Sequence, residues 1–164
     1  MTTIYCTQQL RDLWPVPLAL QWRQQYPDLF DDDDLRLTKL QNRNHFCEWF
    51  AAIHLFQSRG VLSLIEKYRR KEAHPHKWER FVRLLSPEQR DLLNNICKSC
   101  AVQPPDLLLY APDLRDFWFA EIKGPRDDLS EKQRRSHTAI TEQLKVSVEM
   151  IEVRIHKRSA RRRP

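Results

Sequence analysis

The chain has 164 residues, 41% of them apolar and 30% charged, which suits one domain of ordinary size with a real core. No apolar run exceeds five residues, against the roughly 20 needed to cross a bilayer, and the only glycines are Gly60 and Gly124. Membrane-spanning helices, phosphate-loop hydrolysis and dinucleotide folds are thereby excluded, and the formal charge of +6 owes five positives to Lys157, Arg158, Arg161, Arg162 and Arg163 near the end of the chain.

In chain order, residues 1–43 read as an extension packed on the main domain, with one short helix over 18–26 bounded by Pro15, Pro17 and Pro27. Asp31, Asp32, Asp33 and Asp34 repel one another unless solvated or bound to a cation, so an exposed loop is expected there. With Asn44 as N-cap, a helix then carries Phe46, Trp49, Phe50, Ile53, Leu55 and Phe56 and stops before Gly60. Its apolar residues occupy nearly every face, which predicts burial, with His54 as a satisfied core histidine. A second helix is expected over 61–71 and, after the His74-Pro75-His76 break, a third over 78–85. Residues 66–83 hold seven basic side chains against three glutamates. They could track a phosphate backbone, or form a solvated helix face with Glu66 paired to Arg70. Ser86-Pro87-Glu88-Gln89 combines an N-cap serine, a proline at the first helical position and a capping-box glutamine, opening a helix to about Ser99.

Pro104 and Pro105 stop helical structure, and residues 106–110 and 116–123 read as a β-hairpin around Pro112-Asp113-Leu114-Arg115. Ser130 and Gln133 open a further helix to about Leu144, and residues 147–155 alternate as a strand. The four cysteines form no dense framework, which fits a reducing, cytoplasmic setting, and the first 20 residues lack a signal-peptide pattern. Cys97 and Cys100 lie on the apolar stripe of Leu92, Leu93 and Ile96, so they are read as core residues rather than as zinc ligands with His74 and His76. The five tryptophans are assigned to packing.

A turn centred between Asp113 and Leu114 pairs Tyr110 with Phe117, Leu108 with Phe119, and Asp106 with Glu121. Lys123 shares the face of Glu121, because side chains alternate along a strand. Two facing carboxylates repel unless a cation bridges them, and oxygen ligands with water suit Mg²⁺ or Mn²⁺. The competing reading is an ordinary Asp/Glu/Lys cluster. A lysine beside such a cation suits phosphodiester hydrolysis, orienting the nucleophile or stabilising developing charge.

The segment from Pro105 to Tyr110, followed by the run from Glu121 to Gln133, resembles the core of the VRR-NUC nucleases, a branch of the PD-(D/E)XK superfamily. The resemblance covers residues 106–155 and extends loosely back to about residue 44. It implies an α/β, restriction-endonuclease-like fold, a small mixed sheet flanked by helices with a helical N-terminal part. The implied organisation is an N-terminal extension over 1–43, a nuclease domain over 44–155 and a flexible basic tail over 156–164. The implied activity is metal-dependent endonucleolytic hydrolysis of DNA, possible on branched substrates and leaving 5′-phosphate ends.

Carried onto this chain, the resemblance implies that Asp106 and Glu121 bind the metal, that the Ile122 carbonyl helps, and that Lys123 is the catalytic lysine. Gln133 matches the family's helical glutamine, although it is equally suited to capping with Ser130. The helical metal ligand is read as Glu48, the only formally charged residue between Phe46 and Phe56, in preference to Glu66, which looks solvated among basic neighbours. Contact with DNA is assigned to Arg69, Arg70, Lys71, Arg126 and Lys132, while Asp128 stands where the family usually has a basic residue. Phage members of the family suggest a homodimer. Two other roles fit the same residues: an antibacterial toxin held by a cognate immunity protein and delivered by a secretion system, or a catalytically silent nucleic-acid-binding module. No membrane partner is expected.

Overall fold

The computed structural model describes residues 1–40 and 45–156, so the expected N-cap Asn44 and the basic tail lie outside the described residues. Five strands form one mixed sheet in the order β1-β5-β4-β3-β2. They are β1 (Thr2–Thr7), β2 (Leu62–Ile65), β3 (Leu107–Tyr110), β4 (Phe117–Lys123) and β5 (Val148–His156). β1 and β4 flank β5 in parallel, whereas β4, β3 and β2 run antiparallel in turn. The helices among the described residues are α1 (Gln8–Asp12), α2 (Leu18–Gln25), α3 (Asp32–Leu40), α4 (Phe46–Arg59), α5 (Pro75–Leu84), α6 (Pro87–Cys100) and α7 (Glu131–Ala139), the last continuing as a π-helical turn over Ile140–Leu144.

Strand alternation divides the hairpin between two cores. Leu107, Leu109, Ala120 and Ile122 face α4 and the N-terminal helices, where Phe30 stacks on Trp49 at 3.8 Å and Trp14 and Trp22 complete an aromatic cluster. Leu108, Tyr110 and Phe119 face α5, α6 and the π-helical turn through Phe81, Leu93, Ile96, Cys97 and Ile140. Residues on both sides of each strand are thus covered, which explains the nearly unbroken apolar run of β3. The expected capping boxes are both present, at Ser86 with Gln89 and at Ser130 with Gln133.

Three local expectations are corrected. Residues 61–71 form β2 and a turn rather than a helix, because Leu62 to Ile65 pair with Tyr110 to Leu107, a partner more than 40 residues away that local propensity cannot register. The four aspartates are not a loop. Asp31 precedes α3, and its Oδ1 accepts the Asp34 N–H (2.8 Å) while its own N–H donates to Asp34 Oδ2 (3.0 Å), so acids occupy the helix N-terminus, where the dipole favours them. His54 is exposed rather than in the core, on the one stripe of α4 that faces away from the sheet. Residues 2–7, for which no strand was expected, hold the sheet edge beside β5.

Asp34 is 3% exposed and forms an ion pair with Lys77 of α5, equally buried, whose ammonium also donates to the Ile65 carbonyl (2.5 Å). Replacing Asp34 by alanine strands a buried ammonium and is expected to cost about 3–5 kcal/mol of stability, read by urea denaturation.

Candidate active site

The hairpin has the register predicted from its turn: Leu107 pairs with Ala120, Leu108 with Phe119, Leu109 with Trp118 and Tyr110 with Phe117. Continued by one residue, this register sets Asp106 opposite Glu121 at the end of the ribbon away from the turn. Asp106 is tethered on several sides. Its Oδ2 accepts the Ile122 N–H (2.8 Å), its own carbonyl accepts the Glu66 N–H (2.9 Å), and the preceding Pro105 carbonyl accepts the hydroxyl of fully buried Tyr68 (2.9 Å).

Glu121, 3% exposed, is surrounded by donors. Its Oε1 accepts from Lys123 Nζ (2.9 Å) and from Gln133 Nε2 (2.5 Å), and its Oε2 lies 3.4 Å from His137 Nε2. Gln133 fills the expected capping role and also contacts Glu121: its Oε1 accepts the Ser130 N–H (3.0 Å) while its amide nitrogen donates to Glu121. One turn further along α7, His137 joins the site without having been singled out. Its signal was the spacing of four from Gln133, which places both on the sheet-facing side of the helix.

The acids from α4 and β2 converge as well. Glu48 lies in the first turn of α4, His45 caps that helix with φ of 68°, and Glu66 follows β2 with φ of 34°. His45 Nδ1 is 2.9 Å from Glu66 Oε1, and the ligand atoms of His45, Glu48 and Glu66 all lie within 4.8 Å of one another. Glu66 is therefore half-buried and paired with His45 rather than with Arg70; once residues 61–65 become a strand, the turn after it brings Glu66 under the start of α4. Both competing glutamates are at the site. His45 escaped notice because its spacing of three from Glu48 gains meaning only when Glu66 faces the pair.

Two cavities meet at this cluster. One, of about 350 Å³, is lined by Arg11, His45, Glu48, Glu66, Ile122 and Asp127 among others. The other, of about 620 Å³, is lined by Glu66 and Asp106 together with Lys67, Arg69, Arg70 and Asn94. Arg69 donates to Asn94 (2.7 Å), which holds its guanidinium at the rim. Lys71, Arg126 and Lys132 are exposed, and neither of these cavities is lined by them. Gly124 follows Lys123 where the chain is tight: a Cβ there would stand 2.9 Å from Asp127 Oδ2 and 3.3 Å from Cys47 Sγ. Cys97 is buried and Cys100 half-buried, and the described residues contain no metal-ligand grouping of either with His74 or His76.

The electrostatics separate the carboxylates. Burial, then the charges of Glu121 and Glu48, push the Asp106 carboxyl well above its ordinary range. Burial likewise raises Glu48, with Glu66 adding to the effect. For Glu121 burial acts upward too, but the hydrogen bonds from His137 and Lys123 outweigh it and its value is lowered. Burial alone would lower His45, yet the hydrogen bond and charge of Glu66 and the charge of Glu48 leave it raised. Carboxylates forced together and reluctant to ionise are the donor set that a divalent cation relieves. The ligand atoms of His45, Glu48 and Glu66, all within 4.8 Å of one another, are close enough that these residues would hold one divalent cation.

Lys123→Met removes one of the two groups that outweigh burial at Glu121, so the titration of that carboxyl, followed by NMR, is expected to move upward. A depressed carboxyl contributes stability above its unfolded value that is lost as pH falls through the folded one, so the variant should also be less sensitive to acid than the wild type.

The family model for the VRR-NUC domain matches residues 56–155, which include Glu66, Asp106, Glu121, Lys123, Gln133 and His137 but not His45 or Glu48. No curated protein and no solved structure matches the chain significantly. The family match spans more than half of the chain: the chain belongs to the VRR-NUC family, nuclease domains of the PD-(D/E)XK type.

Proposed function

We propose that the protein is a divalent-cation-dependent endonuclease hydrolysing DNA phosphodiesters on a restriction-endonuclease-like fold. The observation that carries this reading is the meeting of Asp106 with Glu121 at the end of the hairpin, where Glu48 and Glu66 add charge and Lys123 stands beside them. Asp106, Glu121, the Ile122 carbonyl and Glu48 would hold Mg²⁺ or Mn²⁺, and His45 and Glu66 extend that donor set. Such a cation supplies Lewis acidity, drawing charge from the scissile phosphate and easing deprotonation of water.

The chain's own residues do the rest. The Lys123 ammonium, held by Glu121 with its side chain only 15% exposed, is placed to orient the attacking water and to stabilise charge developing on the phosphate. His137 and Lys123 keep Glu121 ionised, and the Gln133 amide helps to fix its direction. Arg69, Arg70 and Lys67 rim the larger cavity beside Asp106, so a strand entering the site would meet cations as its phosphates approach the acids.

Plasmid and branched DNA incubated with and without Mg²⁺ test the reading. Cleavage is expected only with the cation, and Asp106→Ala and Lys123→Ala are each expected to lower the rate by about 10²-fold or more. Metal-independent binding without cleavage would end it. A second test follows from the raised carboxyls of Asp106 and Glu48 and the raised imidazole of His45: each retains its proton to higher pH than usual, and a bound cation must displace those protons. Mn²⁺ affinity, measured by calorimetry, is therefore expected to be tighter at about pH 8 than at about pH 6. An affinity that does not rise with pH would contradict the assigned ligands.

A further inference from the structure

The peptide joining Ile65 to Glu66 is gripped on both sides. Its carbonyl accepts from Lys77 Nζ (2.5 Å), and its N–H donates to the Asp106 carbonyl (2.9 Å). At this peptide β2 ends and the chain turns through two consecutive non-glycine residues of positive φ, Glu66 at 34° and Lys67 at 50°. Ordinary side chains avoid that region, so the turn has to be imposed by its surroundings.

Lys77 is well suited to impose it. The ammonium is almost fully buried in the first turn of α5, and an apolar residue would fill the same space without the penalty of burying a charge. What an apolar residue could not do is donate to the Ile65 carbonyl. Asp34, equally buried, holds the ammonium in place, and Asp34 is itself held by its reciprocal bonds with Asp31 at the start of α3. An unbroken chain of polar contacts thus runs from the N-terminal helices through Asp34, Lys77 and Ile65 to the residue that faces His45 and Glu48.

We infer that Asp34 and Lys77 are positioning residues for the nuclease site, acting through the Ile65 carbonyl to fix the turn that presents Glu66 to His45 and Glu48. Neither belongs to the ligand group of His45, Glu48 and Glu66, although Asp34 lines a small cavity with His45 and Glu66. The positioning role is argued from these contacts, and only its consequence for cation binding rests on the function proposed above.

The test uses the full chain carrying Asp34→Asn with Lys77→Met, which removes both charges together and leaves neither unpaired. In metal-free protein, hydrogen exchange is expected to show the Glu66 amide at least about tenfold less protected, while amides in the middle of α6 keep their wild-type rates. Mn²⁺ affinity, by calorimetry, is expected to fall about tenfold, the scale on which outer-shell partners act. Adding Glu66→Gln to the double variant should then weaken binding by much less than it does in the wild type, because a mispositioned carboxylate has little left to lose.

Asp34→Asn with Lys77→Gln returns a neutral donor toward Ile65 and should recover part of both losses. Unchanged exchange at Glu66, or a Glu66→Gln effect that simply adds, would overturn the positioning role even if wild-type protein binds Mn²⁺ normally. Failure of both double variants to fold would overturn it too, by making the pair a support of the whole core. Wild-type protein that binds no Mn²⁺, with Glu66 exchange still responding to the pair, would remove the cation site and leave the positioning intact.

Discussion

Mutual repulsion among carboxylates gathered at one largely buried site is the constraint around which the molecule is arranged. Glu48, Glu66, Asp106 and Glu121 come from a helix, a strand end and both arms of a hairpin, and their charges act on one another where water is scarce. Without a cation, an assembly of this kind persists only if each carboxylate is held by something else. Glu121 is held by Lys123, Gln133 and His137, Asp106 by the Ile122 N–H, and Glu66 by His45. Glu48 has the positive end of its own helix dipole, and burial dominates there, so its carboxyl is raised.

The division of labour between Asp106 and Glu121 follows from this arrangement. Glu121 is buried and Asp106 half-buried, and both sit at one end of the same ribbon, yet Asp106 is raised and Glu121 lowered. The difference lies in His137 of α7 and in Lys123, whose hydrogen bonds and charges lower Glu121, whereas Asp106 faces neighbouring carboxylates. Ser130 and Gln133 show how economically this is done: the glutamine that closes the capping box with its oxygen reaches Glu121 with its nitrogen. Helix initiation and site geometry are thereby coupled through one side chain, and α7 cannot shift along its axis without disturbing Glu121.

Some of this was legible before any coordinates. The hairpin register followed from the position of the turn, because a period of two leaves only one choice once the turn is placed, and a slip of one residue would have put Asp106 and Glu121 on opposite faces. Both capping boxes were readable for the same reason, since a serine and a glutamine three residues apart satisfy each other's backbone locally. The four residues of β2 were not readable. Leu62, Ser63, Leu64 and Ile65 fit a helix or a strand equally well until β3 lies beside them, and read as helix they leave Glu66 solvated among basic neighbours rather than facing His45. The aspartates at 31–34 misled in a related way, because the cation that makes Asp34 buriable is Lys77, far along the chain.

The amino-acid sequence on its own therefore determined the features whose partners lie within a few residues or across one tight turn: the helix starts at Ser86 and Ser130, the pairing of Asp106 with Glu121, and the lysine two positions on. Tertiary structure alone decided what depends on distant segments meeting. It brought His45, Glu48 and Glu66 together, set His137 against Glu121, and buried the Asp34–Lys77 pair behind the strand end. The physical reason is the range of the forces involved. Backbone geometry and capping act over three or four residues, whereas the fate of a buried charge is decided by whichever group the packed core places beside it.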